Sequence, residues 1–219
     1  VKLFTEAHGL KSYLIRARKQ KSGSGLNGIH PFALLEINEQ ERRKGQLGAL
    51  KDFRREVPLT GLMMDPSKSA VAMFGAEILA RSIAEDHTHP ELFNYLWHAI
   101  QQLDLDEWSG LYAFLVCGRI IRFLGLMPED VAGEAGEWSL DIQRAAWIQG
   151  RYSGDQILNP EEVAAFVQSS RVTAADFSTL QLPLKSRRKL LDAMVRYLQA
   201  HVCGPSPVKS LEVLREVFG

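Results

Sequence analysis

Ser12-Tyr13-Leu14-Ile15-Arg16-Ala17-Arg18-Lys19-Gln20-Lys21, running into the glycine-rich stretch 22–28, is the passage from which the rest of this chain can be read. From Ser12 to Arg18 the side chains alternate, Tyr13 and Ile15 to one side, Leu14 and Arg16 to the other. A period of two belongs to a strand and not to a helix. Working outward, Val1–Thr5 alternates Val1, Leu3 and Thr5 against Lys2 and Phe4, with a turn at His8-Gly9. On the far side, Phe32–Asn38 reads as a third strand, Glu39–Gly45 as a polar hairpin tip, and Leu47–Glu56 as a fourth strand. Short alternating runs separated by glycine and polar turns predict antiparallel pairing. Four such strands and one leading strand would complete a five-stranded OB barrel. The head is therefore expected to be an OB-fold domain over residues 1–58, incomplete at its N-terminal side.

Beyond Pro66 the period changes to 3.6. Asp65-Pro66 is a helix start, and Val71, Phe74, Ile78 and Leu79 form one apolar stripe within a helix predicted over Ala70–Ala84. Thr88, Pro90 and Glu91 supply an N-cap, an early proline and a first-turn acid for a helix through Leu103. Glu107–Gly125 is apolar on nearly every side, which predicts a central helix. Asn159-Pro160-Glu161-Glu162 caps another, and Ser186–Val202 and Lys209–Phe218 supply the last two. Gly125, Gly204 and Pro205 stand where helices stop. Leu211, Leu214, Val217 and Phe218 make a stripe expected to pack within the chain. The fold class is α+β: the barrel, then an all-α domain over 59–219 with an irregular, glycine-rich and acidic excursion around 128–158.

Charge separates the two parts. The chain has 219 residues and is neutral overall, with 26 bases against 26 acids. Residues 1–58 carry twelve bases and six acids, a surplus of six positive charges, and the remaining 161 residues carry the matching deficit. Such asymmetry points to a polyanionic partner. With 46% apolar residues the chain can bury a core, and no apolar run is long enough to span a bilayer. Cys117 and Cys203 form no CxxC pair, and with no signal-peptide pattern this reads as a reducing cytoplasm.

Several patterns carry less than they suggest. Gly23-Ser24-Gly25-Leu26-Asn27-Gly28 spells GxGxxG, but a dinucleotide needs a helix to begin there, and His30-Pro31 and an alternating segment follow instead. His87-Thr88-His89 lacks the further ligands of a zinc site, and Asp104, Asp106 and Glu107 lack calcium-loop spacing. No GxSxG or other nucleophile signature is present. The sequence gives no support for catalysis, a metal or a cofactor.

The basic cluster is different. No acid occurs from Ala7 to Leu35, while Lys11, Arg16, Arg18, Lys19 and Lys21 crowd a strand-to-loop transition. Phe4, Tyr13 and Phe32 are interleaved, and rings with cations are how OB surfaces hold single strands. Alternation leaves open which rings face a groove and which a core. Three readings follow: a DNA-binding protein, an RNA-binding OB protein, or a non-catalytic adaptor docking an acidic protein.

At this point the residues resemble a known family. Val1-Lys2-Leu3-Phe4-Thr5-Glu6-Ala7-His8-Gly9-Leu10, Ile15-Arg16-Ala17-Arg18-Lys19 and Phe32-Ala33-Leu34-Leu35-Glu36 resemble the N-terminal domain of the RecO family of recombination mediators. Val208-Lys209-Ser210-Leu211-Glu212-Val213-Leu214-Arg215-Glu216-Val217-Phe218 resembles the ending of its Bacteroidetes-type members. Ala76-Glu77-Ile78-Leu79, Pro90-Glu91-Leu92-Phe93 and Arg122-Phe123-Leu124-Gly125 follow the helical core in order. The resemblance implies an OB domain, with one further strand ahead of Val1, and a helical domain. It also implies binding of single- and double-stranded DNA, annealing of complementary strands, and loading of RecA with RecR onto strands coated by single-strand-binding protein. Whether RecF takes part stays open. Carried onto this chain, Lys11, Arg16, Arg18, Lys19 and Lys21 become the DNA contacts, joined by Arg42, Arg43 and Lys44. Arg119, Arg122, Arg187, Arg188 and Lys189 become candidates for the acidic C-terminal tail of single-strand-binding protein. Many relatives carry a four-cysteine zinc site; with two cysteines, this chain is expected to hold no zinc. The expected location is the cytoplasm, at the nucleoid.

Overall fold

The computed structural model describes residues 1–15, 29–40, 48–107, 109–128, 137–173 and 184–218. Strands come first and helices after them, an α+β arrangement. The first sheet contains β1 (Lys2–Thr5), β2 (Gly9–Leu14), β3 (Leu35–Gln40) and β4 (Gly48–Arg55) in the order β1-β2-β4-β3. Antiparallel pairing holds for β1 with β2 and for β3 with β4. It fails for β2 with β4, which run parallel, Tyr13 beside Gly48 and Leu14 beside Ala49. Alternation reports which face a residue takes and carries no information on which strand lies next to which. Among the described residues this sheet is open, with β1 and β3 at its edges.

The third strand starts later than its alternation predicts. Phe32 has a φ of 60°, so the chain turns there instead of extending. Its ring presses on the helix behind, where a Cβ on Gly75 would come within 2.5 Å of it.

Among the helices, α1 (Thr60–Met64) is one short turn, and α2 (Pro66–Ser82) starts on Asp65, whose carboxylate accepts from Ser67 N at 2.7 Å. Next, α3 (Pro90–Leu105) begins on His89, and not on the expected Thr88, with no side-chain capping bond. The central helix α4 (Tyr112–Phe123) starts later than predicted because Ser109–Leu111 forms a 3-10 turn first. Its burial is near complete from Tyr112 to Gly118 and again at Ile120 and Ile121. Then α5 (Pro160–Arg171) opens with a full capping box between Asn159 and Glu162. It lies so close to α4 that a Cβ on Gly118 would stand 2.6 Å from Ser169 O. Last come α6 (Leu184–Leu198), continuing as a π turn over Gln199–Cys203, and α7 (Lys209–Phe218).

Part of the segment expected as an irregular excursion is ordered and built into the core. A second sheet of order β6-β5-β7 joins β5 (Trp138–Asp141), β6 (Ala146–Gln149) and β7 (Ile157–Leu158). Leu140, Ile142 and Leu158 are at most 1% exposed. Its strands are only two to four residues long, and Gly150 and Gly154 interrupt the 150–156 connection, so composition alone hides it. At the other end, Glu77 on α2 accepts from the backbone N–H groups of Lys209 and Ser210 and from Ser210 Oγ at 2.6 Å. Arg81, one turn on, donates to the carbonyls of Cys203, Ser206 and Pro207. These bonds seat α7 on α2, burying Leu211 and Leu214 while Val217 and Phe218 stay partly exposed.

The strand-bearing head is locked onto the helices. Asp86 N donates to Leu10 O at 3.0 Å, and Glu85 takes both Lys2 Nζ (3.2 Å) and Ser12 Oγ (2.9 Å). Phe4 meets Phe93 at 5.9 Å between ring centres, and Phe93 stacks on Trp97 at 5.8 Å.

Candidate nucleic-acid interface

Strand register sets side by side the described residues that flank two base-rich stretches of sequence. Leu14 on β2 is beside Ala49 on β4, and Ala49 is beside Gln40 on β3. Three residues in a row on adjacent strands span about 10 Å. The segment with Arg16, Arg18, Lys19 and Lys21 departs just past Leu14, at Ile15, and the segment with Arg42, Arg43 and Lys44 joins Gln40 to Gly48. Those seven side chains lie outside the described residues. Lys11 is therefore the member of the expected DNA-contact set whose surroundings can be described.

Lys11 is not a free cation. Its Nζ stands 2.6 Å from Glu39 Oε1, and both side chains are about three-quarters buried, at 28% and 25% exposure. Tyr13 donates its hydroxyl to the other oxygen of Glu39 at 3.3 Å, and His8 Nε2 lies 4.0 Å from that same oxygen. Glu39 is on β3 and Lys11 on β2, so the pair reaches across β4. Two local features allow it. Gly48 on β4 leaves room for the Tyr13 ring, which would stand 2.7 Å from a Cβ there. A bulge between Asn38 and Glu39 resets the register as β3 reaches the sheet's end. Burial works to raise the Glu39 pKa, but the hydrogen bond and charge of Lys11, aided by Tyr13 and His8, hold it below its ordinary value. Burial, with the Glu39 charge beside it, pushes Tyr13 up to about 12.

The other described cations of the head divide similarly. Arg54 is paired with Glu36, and Lys2 with Glu85 from the helical body. Glu85 is held below its ordinary pKa by the Ser12 and Lys2 hydrogen bonds. Lys51 is exposed, with no ion pair among the described residues. The three interleaved rings are used internally: Tyr13 is 3% exposed, Phe32 plugs against α2, and Phe4 packs on Phe93. Between β1, the 29–37 segment and the α2–α3 face lies an open groove of about 1020 Å³.

On the helical body, Arg119 lies over the Tyr95 ring at 4.5 Å and near the Phe123 ring at 5.9 Å. Its Nε and the Tyr95 hydroxyl are both buried with no hydrogen-bond partner among the described residues. Burial raises Tyr95 to about 12 against the lowering influence of Arg119. Arg122, one turn on, is exposed. Of the α6 trio, Lys189 is engaged by Glu162 at 2.7 Å, Arg187 is half-buried, and Arg188 is exposed. Sequence reasoning missed Glu39, Tyr95 and Phe123: Glu39 is 28 residues from Lys11, and its charge reads as part of a solvated hairpin tip.

Among the described residues no group of three or more His, Cys, Asp or Glu is placed to hold a metal ion. Burial pushes the Cys117 thiol up, and Cys203 Sγ lies 3.1 Å from Ser82 Oγ. No helix among the described residues is long and apolar enough to cross a membrane.

Residues 63–212 match the family model described as recombination protein O C terminal. The chain is 30% identical to the DNA repair protein RecO of Bacteroides fragilis (strain YCH46) over 221 aligned positions, covering 100% of this chain and 91% of that protein. It is similar to two further proteins of that name at the same coverage of each chain: 25% identical to that of Azobacteroides pseudotrichonymphae and 27% to that of Flavobacterium psychrophilum.

Proposed function

Since the chain belongs to the RecO family of DNA repair proteins, we propose that it is a recombination mediator that binds single- and double-stranded DNA and anneals complementary strands. With RecR it helps load RecA onto strands coated by single-strand-binding protein, in the cytoplasm at the nucleoid, with RecF as a further candidate partner. The observation that carries this reading is the row Leu14, Ala49, Gln40, which sets the described residues flanking the two base-rich stretches of sequence side by side. Lys11, Arg16, Arg18, Lys19 and Lys21 are the proposed principal contacts, with Arg42, Arg43 and Lys44 beside them. Annealing breaks no covalent bond. A cationic surface neutralises phosphates, lowers the repulsion between strands and raises their local concentration, so no catalytic residue is invoked.

The finer fold assignment belongs to the same proposal. Residues 1–58 are read as an OB domain and 59–219 as the helical domain. The order β1-β2-β4-β3 leaves two edges facing one groove, and a fifth strand laid between them would close the sheet and remove both. The acidic tail of single-strand-binding protein is assigned to Arg119 and Arg122, because Arg119 lies beside two rings with its buried Nε lacking a hydrogen-bond partner among the described residues. Arg188, which is exposed, is second in line, followed by Arg187 and by Lys189, which Glu162 already neutralises.

A fluorescence annealing assay across salt tests the proposal. Arg16, Arg18 and Lys19 reversed to Glu should abolish annealing, with a wild-type salt slope of roughly −0.7 per phosphate contacted. Annealing that survives the reversal would remove the site assignment. Stronger competition by matched RNA than by DNA would favour an RNA-binding protein instead.

A further inference from the structure

We infer that Glu39 is a built-in competitor for DNA, a carboxylate that occupies Lys11 in the free protein and must be displaced before Lys11 can hold a phosphate. This deepens the DNA-binding reading above and rests on it.

The geometry is specific. A carboxylate and a phosphate offer a lysine the same thing: anionic oxygens at about 2.7–2.9 Å. Glu39 supplies one at 2.6 Å. Its second oxygen is fixed by Tyr13, itself 3% exposed, so the carboxylate is held in place and does not swing freely with solvent. The partners come from β2 and β3, which are not neighbours, and on the β4 strand between them Gly48 leaves the Tyr13 ring the space a Cβ would take. The pair also lies on the same two strands as Leu14 and Gln40, the described residues that flank both base-rich stretches. Lys11 is three residues before Leu14, and Glu39 immediately precedes Gln40. A nucleic-acid strand that approaches Lys11 meets the Glu39 charge where its own phosphate would bind. Lys11 then contributes to affinity only the difference between a phosphate and the carboxylate it gives up.

The test is a double-substitution cycle on the full chain: Glu39→Gln, Lys11→Gln and both together. Binding of a fluorescent oligothymidylate is followed by anisotropy from about 50 to 300 mM NaCl, a range over which phosphate contacts are strongly screened. E39Q should bind roughly fivefold tighter, as expected when a partly exposed ion pair stops competing. Its salt slope should steepen by about 0.7, one phosphate more. In the K11Q background the same change should gain less than about twofold, the residue of long-range repulsion. Equal gains in both backgrounds, or no gain with an unchanged slope, would overturn the inference while leaving DNA binding itself intact. A wild-type chain that binds no DNA would bring down the parent reading together with this one.

A measurement on the wild type covers the case in which E39Q folds poorly. The Glu39 side-chain carboxyl is titrated by carbon-13 NMR with and without the oligonucleotide. Its depressed pKa should rise when phosphate takes Lys11 away. A titration curve that saturating DNA does not move refutes the competition.

Discussion

Replacing Gly9 by alanine should loosen the head from the helices, and the structure allows the cost to be separated into two parts. Gly9 has a φ of 67°, and a Cβ there would stand 1.8 Å from the carbonyl oxygen of His87. Gly125 has the same φ of 67°, with nothing within 4 Å of its Cβ position. Both substitutions carry the left-handed penalty of an L-residue, roughly 1–2 kcal/mol, less a few tenths from the restricted unfolded chain. Only Gly9→Ala adds the collision. Relieving it means drawing β2 away from the 85–88 turn, which strains the Asp86 N to Leu10 O bond and the Ser12 and Lys2 contacts to Glu85. A lost backbone hydrogen bond costs about 1 kcal/mol, and weakened packing at Leu10, 2% exposed, adds a comparable amount. Gly125→Ala should therefore lose about 1 kcal/mol and Gly9→Ala about 3, measured by urea denaturation with circular dichroism and tryptophan fluorescence as probes. Gly154→Ala, with open space and no unusual φ, is the control and should stay within about 0.5 kcal/mol. If Gly9→Ala and Gly125→Ala fall by equal amounts, the close docking of β2 onto the helices is not how the head is held.

Two further outcomes follow from side-chain geometry. Burial raises the Glu77 pKa but is outweighed by hydrogen bonds from Ser210, Lys209 and Arg81, so the folded value lies below the ordinary one. Its contribution is then fully present above the unfolded pKa of about 4.3 and is lost as pH falls through the lower folded value. Glu77→Gln should flatten the acid limb of the stability–pH curve and change little in shape above pH ~6. On the helical face, Arg119→Lys keeps the charge but loses the guanidinium that lies over the Tyr95 ring. An acidic peptide ending like the tail of single-strand-binding protein should bind roughly tenfold more weakly to it by anisotropy. Unchanged affinity would move the peptide site elsewhere.

What could be read from the chain alone was whatever is encoded between near neighbours. The capping box at Asn159, the helix over Lys209–Phe218, the stops at Gly125 and Gly204 and the all-round apolar character of the central helix each depend on a few consecutive residues. The positive surplus of the first 58 residues is likewise a matter of counting. Tertiary structure decided which cations are balanced and where the rings go. Lys11 meets Glu39 across an intervening strand, Lys2 meets Glu85 from the helical body, and Phe32 turns away from its strand into α2. Period-two alternation assigns a face but not a neighbour, and it cannot announce a parallel pair such as β2 with β4. Partners separated by 28 or 83 residues are joined by strand order and docking, which exist only once the whole core has closed.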